Sequence, residues 1–211
     1  MIKQEFKISA QGVGKRFINE WIFRHFDYTF EAGNTYAVTG PNGSGKSSIM
    51  KVLAGITPPT QGNVHYEKNS AIIKPDAFFK ELVYVAPYLE LPEELSLREF
   101  LLFHYKFKEL KEGFSIDFLI KFLSLEGHSD KPIKFFSSGM KQRVRLGLAF
   151  ATDSPLVFLD EPTSNLDEWG IEWYHQNCQK WLMNQCVIIG SNQPFEYKHA
   201  NFLLNINLFK K

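Results

Sequence analysis

The 211 residues carry a formal net charge of +1, with 44% apolar and 22% charged side chains, a composition that buries one substantial core and excludes general disorder. Near-neutrality removes the electrostatic basis for nucleic acid or an anionic membrane surface as the main partner. No window approaches 18 uninterrupted apolar residues, so nothing is expected to span a bilayer, and "MIKQEFKISAQG" at the start lacks the apolar run of a secretory signal.

The first predicted strand is "NTYAVTG", residues 34–40, β-branched and aromatic. It runs into "GPNGSGKS", where Gly40, Gly45, Lys46 and Ser47 fall at the spacing G-x-x-x-x-G-K-S, and "SSIMKVLAGI" follows with apolar residues at helical spacing. Strand, glycine loop and helix together make a phosphate site. Gly40, Gly43 and Gly45 clear the backbone amides, with Pro41, Asn42 and Ser44 completing the loop. The helix start at Ser47 and Ser48 adds its positive dipole end. Lys46 is placed to reach phosphate and the Ser47 hydroxyl to hold Mg²⁺.

"TPPTQG" reads as a turn and "NVHYE" as a short strand. From about residue 88 to 135 the texture becomes helical and rich in Phe and Leu, with an S-x-x-E capping box at Ser96 and Glu99 and a second amphipathic segment from Ser115. The α/β texture resumes at "PLVFLDEP", a buried strand ending in two acids. Asp160 is placed as a carboxylate for the metal, and Glu161 as the group that orients or deprotonates a water. A Trp-rich helix, "EWGIEWYHQNCQKWLMN", and the strands "CVIIG" and "FLLNINL" complete a mainly parallel sheet with helices on both faces. Cys178 and Cys186 fit neither a disulfide framework nor a zinc spacing and read as reduced thiols.

With these residues in place the chain resembles, over essentially its whole length, the nucleotide-binding domain of ATP-binding cassette (ABC) proteins. "GPNGSGKS" is similar to the Walker A motif, "LVFLDEP" to Walker B, "TSNLD" to the D-loop, and "FSSGMKQR" to the signature sequence L-S-G-G-Q-x-Q-R. The resemblance implies an α/β P-loop NTPase core with a small antiparallel β part and an inserted helical lobe, in a single domain. The core takes residues 1–87 and 151–211, and the lobe about 88–150. It implies ATP and Mg²⁺ as cofactors, and Ser137 and Gly139 as contacts to the γ-phosphate held by a second protomer. Two copies would then close head to tail, as a homodimer or with a related chain. Phe17 falls where the family places an aromatic on adenine. A separate transmembrane permease is the implied partner, with the chain cytoplasmic and peripheral at the inner face of the membrane.

Two positions depart from the family pattern. The Q-loop glutamine is replaced by Pro87, and the switch histidine aligns with Asn192. Asparagine still donates a hydrogen bond, whereas proline offers no side-chain polar group. Two readings follow: an ATPase subunit driving a permease, favoured by Glu161 and the signature, and an ATP-gated module with little hydrolysis, favoured by Pro87 and Asn192. The rim at 87–100 carries Tyr88, Leu89 and Leu91 and has two readings: exposed apolar residues on which the permease docks, or residues that pack the lobe onto the core.

Overall fold

The computed structural model describes residues 5–210, without the side chains of residues 75 and 76. Strands β1 (Phe6–Phe17) and β2 (Glu20–Glu31) pair antiparallel. Phe6, Ile8 and Ala10 of β1 and Phe26 and Phe30 of β2 turn inward, with the two-residue side-chain period of a half-buried sheet. Strand β3 (Thr35–Thr39) leaves this sheet and leads through the glycine loop into helix α1 (Lys46–Leu53). Strand β4 (Gln61–Lys68) returns to the free edge of β1 and carries the two-residue β5 (Ala71–Ile72), giving an antiparallel sheet ordered β2-β1-β4-β5.

The single-turn helix α2 (Pro75–Phe78) leads to β6 (Leu82–Val85). Helices α3 (Leu97–His104), α4 (Ile116–Phe122) and α5 (Ser138–Ala151) then intervene before β7 (Leu156–Asp160). Each begins at a serine whose hydroxyl accepts an amide of the first turn: Ser96 from Glu99, Ser115 from Phe118 and Ser137 from Met140. The Glu99 carboxylate in turn accepts from the Ser96 amide at 2.8 Å, completing the capping box. Helix α6 (Glu168–Trp181) starts on Asp167 in the same way and is followed by β8 (Cys186–Gly190) and β9 (Phe202–Asn205).

The second sheet is ordered β6-β7-β8-β3-β9, and every pairing in it is parallel. All residues of β7 and β8 are buried, as in central strands covered on both faces. Val157, Leu159, Val187 and Ile189 pack with residues of α3, α4, α5 and α6. Leu156, Phe158, Cys186 and Ile188, on the other face, join the core made by α1 and the antiparallel sheet. The molecule is thus an α/β fold of the P-loop type with an antiparallel sheet and a helical insertion between β6 and β7. Among the described residues no helix is long and apolar enough to cross a membrane.

Candidate functional site

The C-terminal ends of β3, β7 and β8 deliver the site, where ligands gather in open α/β sheets. The loop after β3 has positive φ at Gly40 (149°), Gly43 (73°) and Gly45 (102°). A Cβ at Gly40 would meet Ser44 Oγ at 2.7 Å and Ile206 Cγ2 at 2.9 Å, and one at Gly45 would collide with Ile22. Pro41, Asn42 and Gly43 form the exposed crest. The buried Lys46 ammonium donates to the carbonyls of Gly40 at 3.0 Å and Pro41 at 3.1 Å, so the loop is wound around it. Gly45 supplies no side-chain cap, leaving the first amides of α1, around Ser47 and Ser48, free for an anion.

Asp160 closes β7 at 0% exposure. Its Oδ2 accepts from the Tyr88 hydroxyl at 2.6 Å and the Tyr84 hydroxyl at 3.3 Å, while its Oδ1 has no hydrogen-bond partner. Burial first, then the neighbouring Asp160, pushes both phenols well above the ordinary tyrosine range, so both are neutral donors. Ser47 is a further polar neighbour of the Tyr88 hydroxyl. No ion pair holds Asp160 among the described residues. A buried carboxylate with an orphaned oxygen and no cation beside it fits a site for Mg²⁺, with the Ser47 hydroxyl as the other donor.

Glu161 follows with φ 46°, its amide bound to the Gly190 carbonyl of β8 at 2.9 Å. That left-handed turn releases the side chain from the sheet into a depression shared with Asn42, Thr163, Asn192 and Glu196. Asn192 Nδ2 donates to Asn42 Oδ1 at 3.0 Å, which joins the loop after β8 to the phosphate loop. Glu196, buried, accepts from the Thr163 amide at 2.8 Å and from the Thr163 hydroxyl.

Ser137 and Gly139 lie at the start of α5 in a second depression with Arg143, Asn165, Asp167 and Trp169, none of which lines the one at Glu161. Asn165, at φ 66°, presents its carbonyl to Gly139, where a Cβ would stand 2.9 Å away. Within one chain, therefore, the phosphate loop, Asp160, Glu161 and Asn192 come together, and the signature residues form a separate patch. Phe17 is 51% exposed at the end of β1, its ring 5.1 Å from the Lys15 ammonium, so it is not a core residue.

The rim divides between its two readings. Leu91 is buried at 8% exposure because it packs into the core of the helical insertion, and Tyr88, although half exposed, spends its hydroxyl on Asp160. Sequence reasoning found no sign of Tyr84 and showed Tyr88 only as a rim residue, not as a partner of Asp160 with a chain of bonds behind it. Arg145 Nε donates to the Leu89 carbonyl at 2.8 Å, Arg145 Nη1 to Gln142 Oε1 at 3.3 Å, and Gln142 Nε2 to the Pro162 carbonyl at 2.7 Å. A tyrosine directly after the vacated glutamine position was the available signal for Tyr88. Both cysteines are free, Cys186 buried and Cys178 partly so.

The chain matches the family described as ABC transporter over residues 23–164 and belongs to it. The cytochrome c biogenesis ATP-binding export protein CcmA of Brucella abortus is 32% identical over 162 residues, covering 77% of this chain and 74% of that protein. A putative ABC transporter ATP-binding protein from Pyrococcus furiosus has the same fold, with a TM-score of 0.80 at 19% identity, over 97% of this chain and 100% of that one. A bacterial ABC transporter cassette solved as a dimer matches at a TM-score of 0.78 and 19% identity, over 94% of each chain.

Proposed function

We propose that this chain is the ATP-binding subunit of an exporter: it pairs with a second copy on Mg-ATP, hydrolyses the nucleotide and drives a separate membrane permease. The observation that carries the reading is the loop wound around Lys46, with uncapped α1 amides beside it and the unpaired carboxylate of Asp160 at the neighbouring strand end. In this reading Lys46 leaves its two carbonyls for the β- and γ-phosphates, and residues 40–48 bind the phosphate chain through backbone amides. Ser47 and Asp160 hold Mg²⁺, which when bound neutralises charge developing on the phosphate oxygens. Glu161 orients the attacking water, Asn192 donates a neutral hydrogen bond toward the γ-phosphate, and Phe17 offers an exposed face to adenine.

Ser137 and Gly139 act across the dimer, on the γ-phosphate bound to the other copy. Their separation from the phosphate loop within one chain supports this assignment. The likeness to an ATP-binding export protein supports export, and in this reading a separate permease holds the chain at the inner face of a membrane. An ATP-gated module that seldom hydrolyses is the second reading, favoured by proline at position 87 and asparagine at 192. Substituting Lys46→Ala removes the ammonium but no backbone amide. Calorimetry is expected to show loss of measurable Mg-ATP binding, and unchanged affinity would defeat the assignment of the phosphate site.

A further inference from the structure

Tyr88 hangs between three elements. Its ring lies 4.3 Å from the Lys51 ammonium on α1, its hydroxyl donates to Asp160 at the end of β7, and the next carbonyl, that of Leu89, is held by Arg145 of α5. Tyr84 supports it from β6: the two hydroxyls are 3.1 Å apart, and the Tyr84 ring stacks on Phe158 of β7 at 5.6 Å. Ser47 borders the same hydroxyl. One phenol thus holds Asp160, one of the two groups assigned to the cation, in a chain whose position 87 has no side-chain donor or acceptor.

We propose that Tyr88 is a positioning residue for the Mg²⁺ site, fixing the Asp160 carboxylate through Oδ2 beside Ser47 and linking that site to the 88–92 segment and α5. The inference rests on the reading of Ser47 and Asp160 as the metal-holding pair. A buried aspartate with only weak restraint rotates about its side-chain torsions. A 2.6 Å bond from a neutral phenol holds it in one orientation without cancelling its charge. A phenol that donates one bond keeps its own acceptor capacity, so the hydroxyl remains able to receive a hydrogen bond from a water on the cation. Groups one step behind a metal ligand commonly set its affinity through orientation alone.

The test is the affinity of the intact protein for ATP, measured by calorimetry in excess Mg²⁺ and again in EDTA, for the wild type and for Tyr88→Phe. The substitution deletes one oxygen and keeps the ring over Lys51. The wild type is expected to bind more tightly with Mg²⁺. Tyr88→Phe is expected to lose about 10- to 100-fold of that Mg²⁺-dependent gain while its affinity in EDTA stays within about 2-fold. An unchanged or larger gain overturns the inference, as does an equal fall in both conditions, which marks Tyr88 as structural support only. If the wild type itself shows no gain with Mg²⁺, the metal assignment of Ser47 and Asp160 fails and this inference falls with it.

Discussion

At Gly45 the chain has φ 102°, and a Cβ would run into Ile22 of β2. Backbone conformation and packing therefore demand glycine independently, and both act at the first turn of α1, the helix proposed to receive the phosphate. Replacing Gly45→Ala is expected to destabilise the fold by about 1–3 kcal/mol, read as a lowered thermal midpoint, and to weaken ATP binding beyond that loss because the loop is reshaped. Wild-type affinity in a folded variant would contradict this account of the loop. Lys46, Asp160 and Glu161 were legible in the sequence because motif spacing places them. The position of Tyr88 was legible too, but its bond to Asp160 was not, because the two lie 72 residues apart and spacing within a motif does not report so distant a contact. Phe17 is exposed, which removes a core role and leaves its adenine role resting on the family pattern alone.

Among the elements, the helices and central strands were readable for physical reasons. Ser96 and Ser115 announce α3 and α4 through caps, and β7 and β8 are apolar runs too short for helices. The β1–β2 pair was not read as such. Its register slips between Ala10 and Val13, between Val13 and Lys15, and between Lys15 and Arg16, and His25 takes a positive φ within β2. These irregularities interrupt the alternation that identifies a strand.

Helix α3 carries a pH-dependent element. His104 at its end is largely buried, with Nε2 unpartnered; burial first and the Lys108 charge second lower its pKa to about 4. The unfolded chain, with an ordinary histidine near 6.5, binds more protons than the native state between those values, so stability falls as pH drops from about 6.5 toward 4. The thermal midpoint is expected to fall between pH 7 and pH 5, and His104→Phe is expected to flatten that dependence. An equal slope in the variant would assign the effect to other groups.

For the whole molecule, the arrangement of two depressions matters most. One contains Glu161 and Asn192 beside the phosphate loop, and the other contains Ser137 and Gly139, with no residue in common. In the proposed function each copy supplies half of each composite site, and two copies related head to tail would complete both. The α5 bonds from Arg145 to Leu89 and from Gln142 to Pro162 connect α5 to the segments next to Tyr88 and Glu161. In the proposed dimer these bonds would join closure at the signature to the segment that holds Tyr88. Loss of the family's glutamine and histidine donors makes slow chemistry the expectation, since one preorganised donor is worth about 10²- to 10³-fold in rate.

The measurement that bears most directly on this account is phosphate release from Mg-ATP by the purified protein, followed over a range of protein concentrations with Glu161→Gln as the control. Turnover above the control is expected, with a specific rate that rises with protein concentration as copies pair. Release no greater than that of Glu161→Gln at saturating ATP would contradict the claim that this chain hydrolyses the nucleotide it binds.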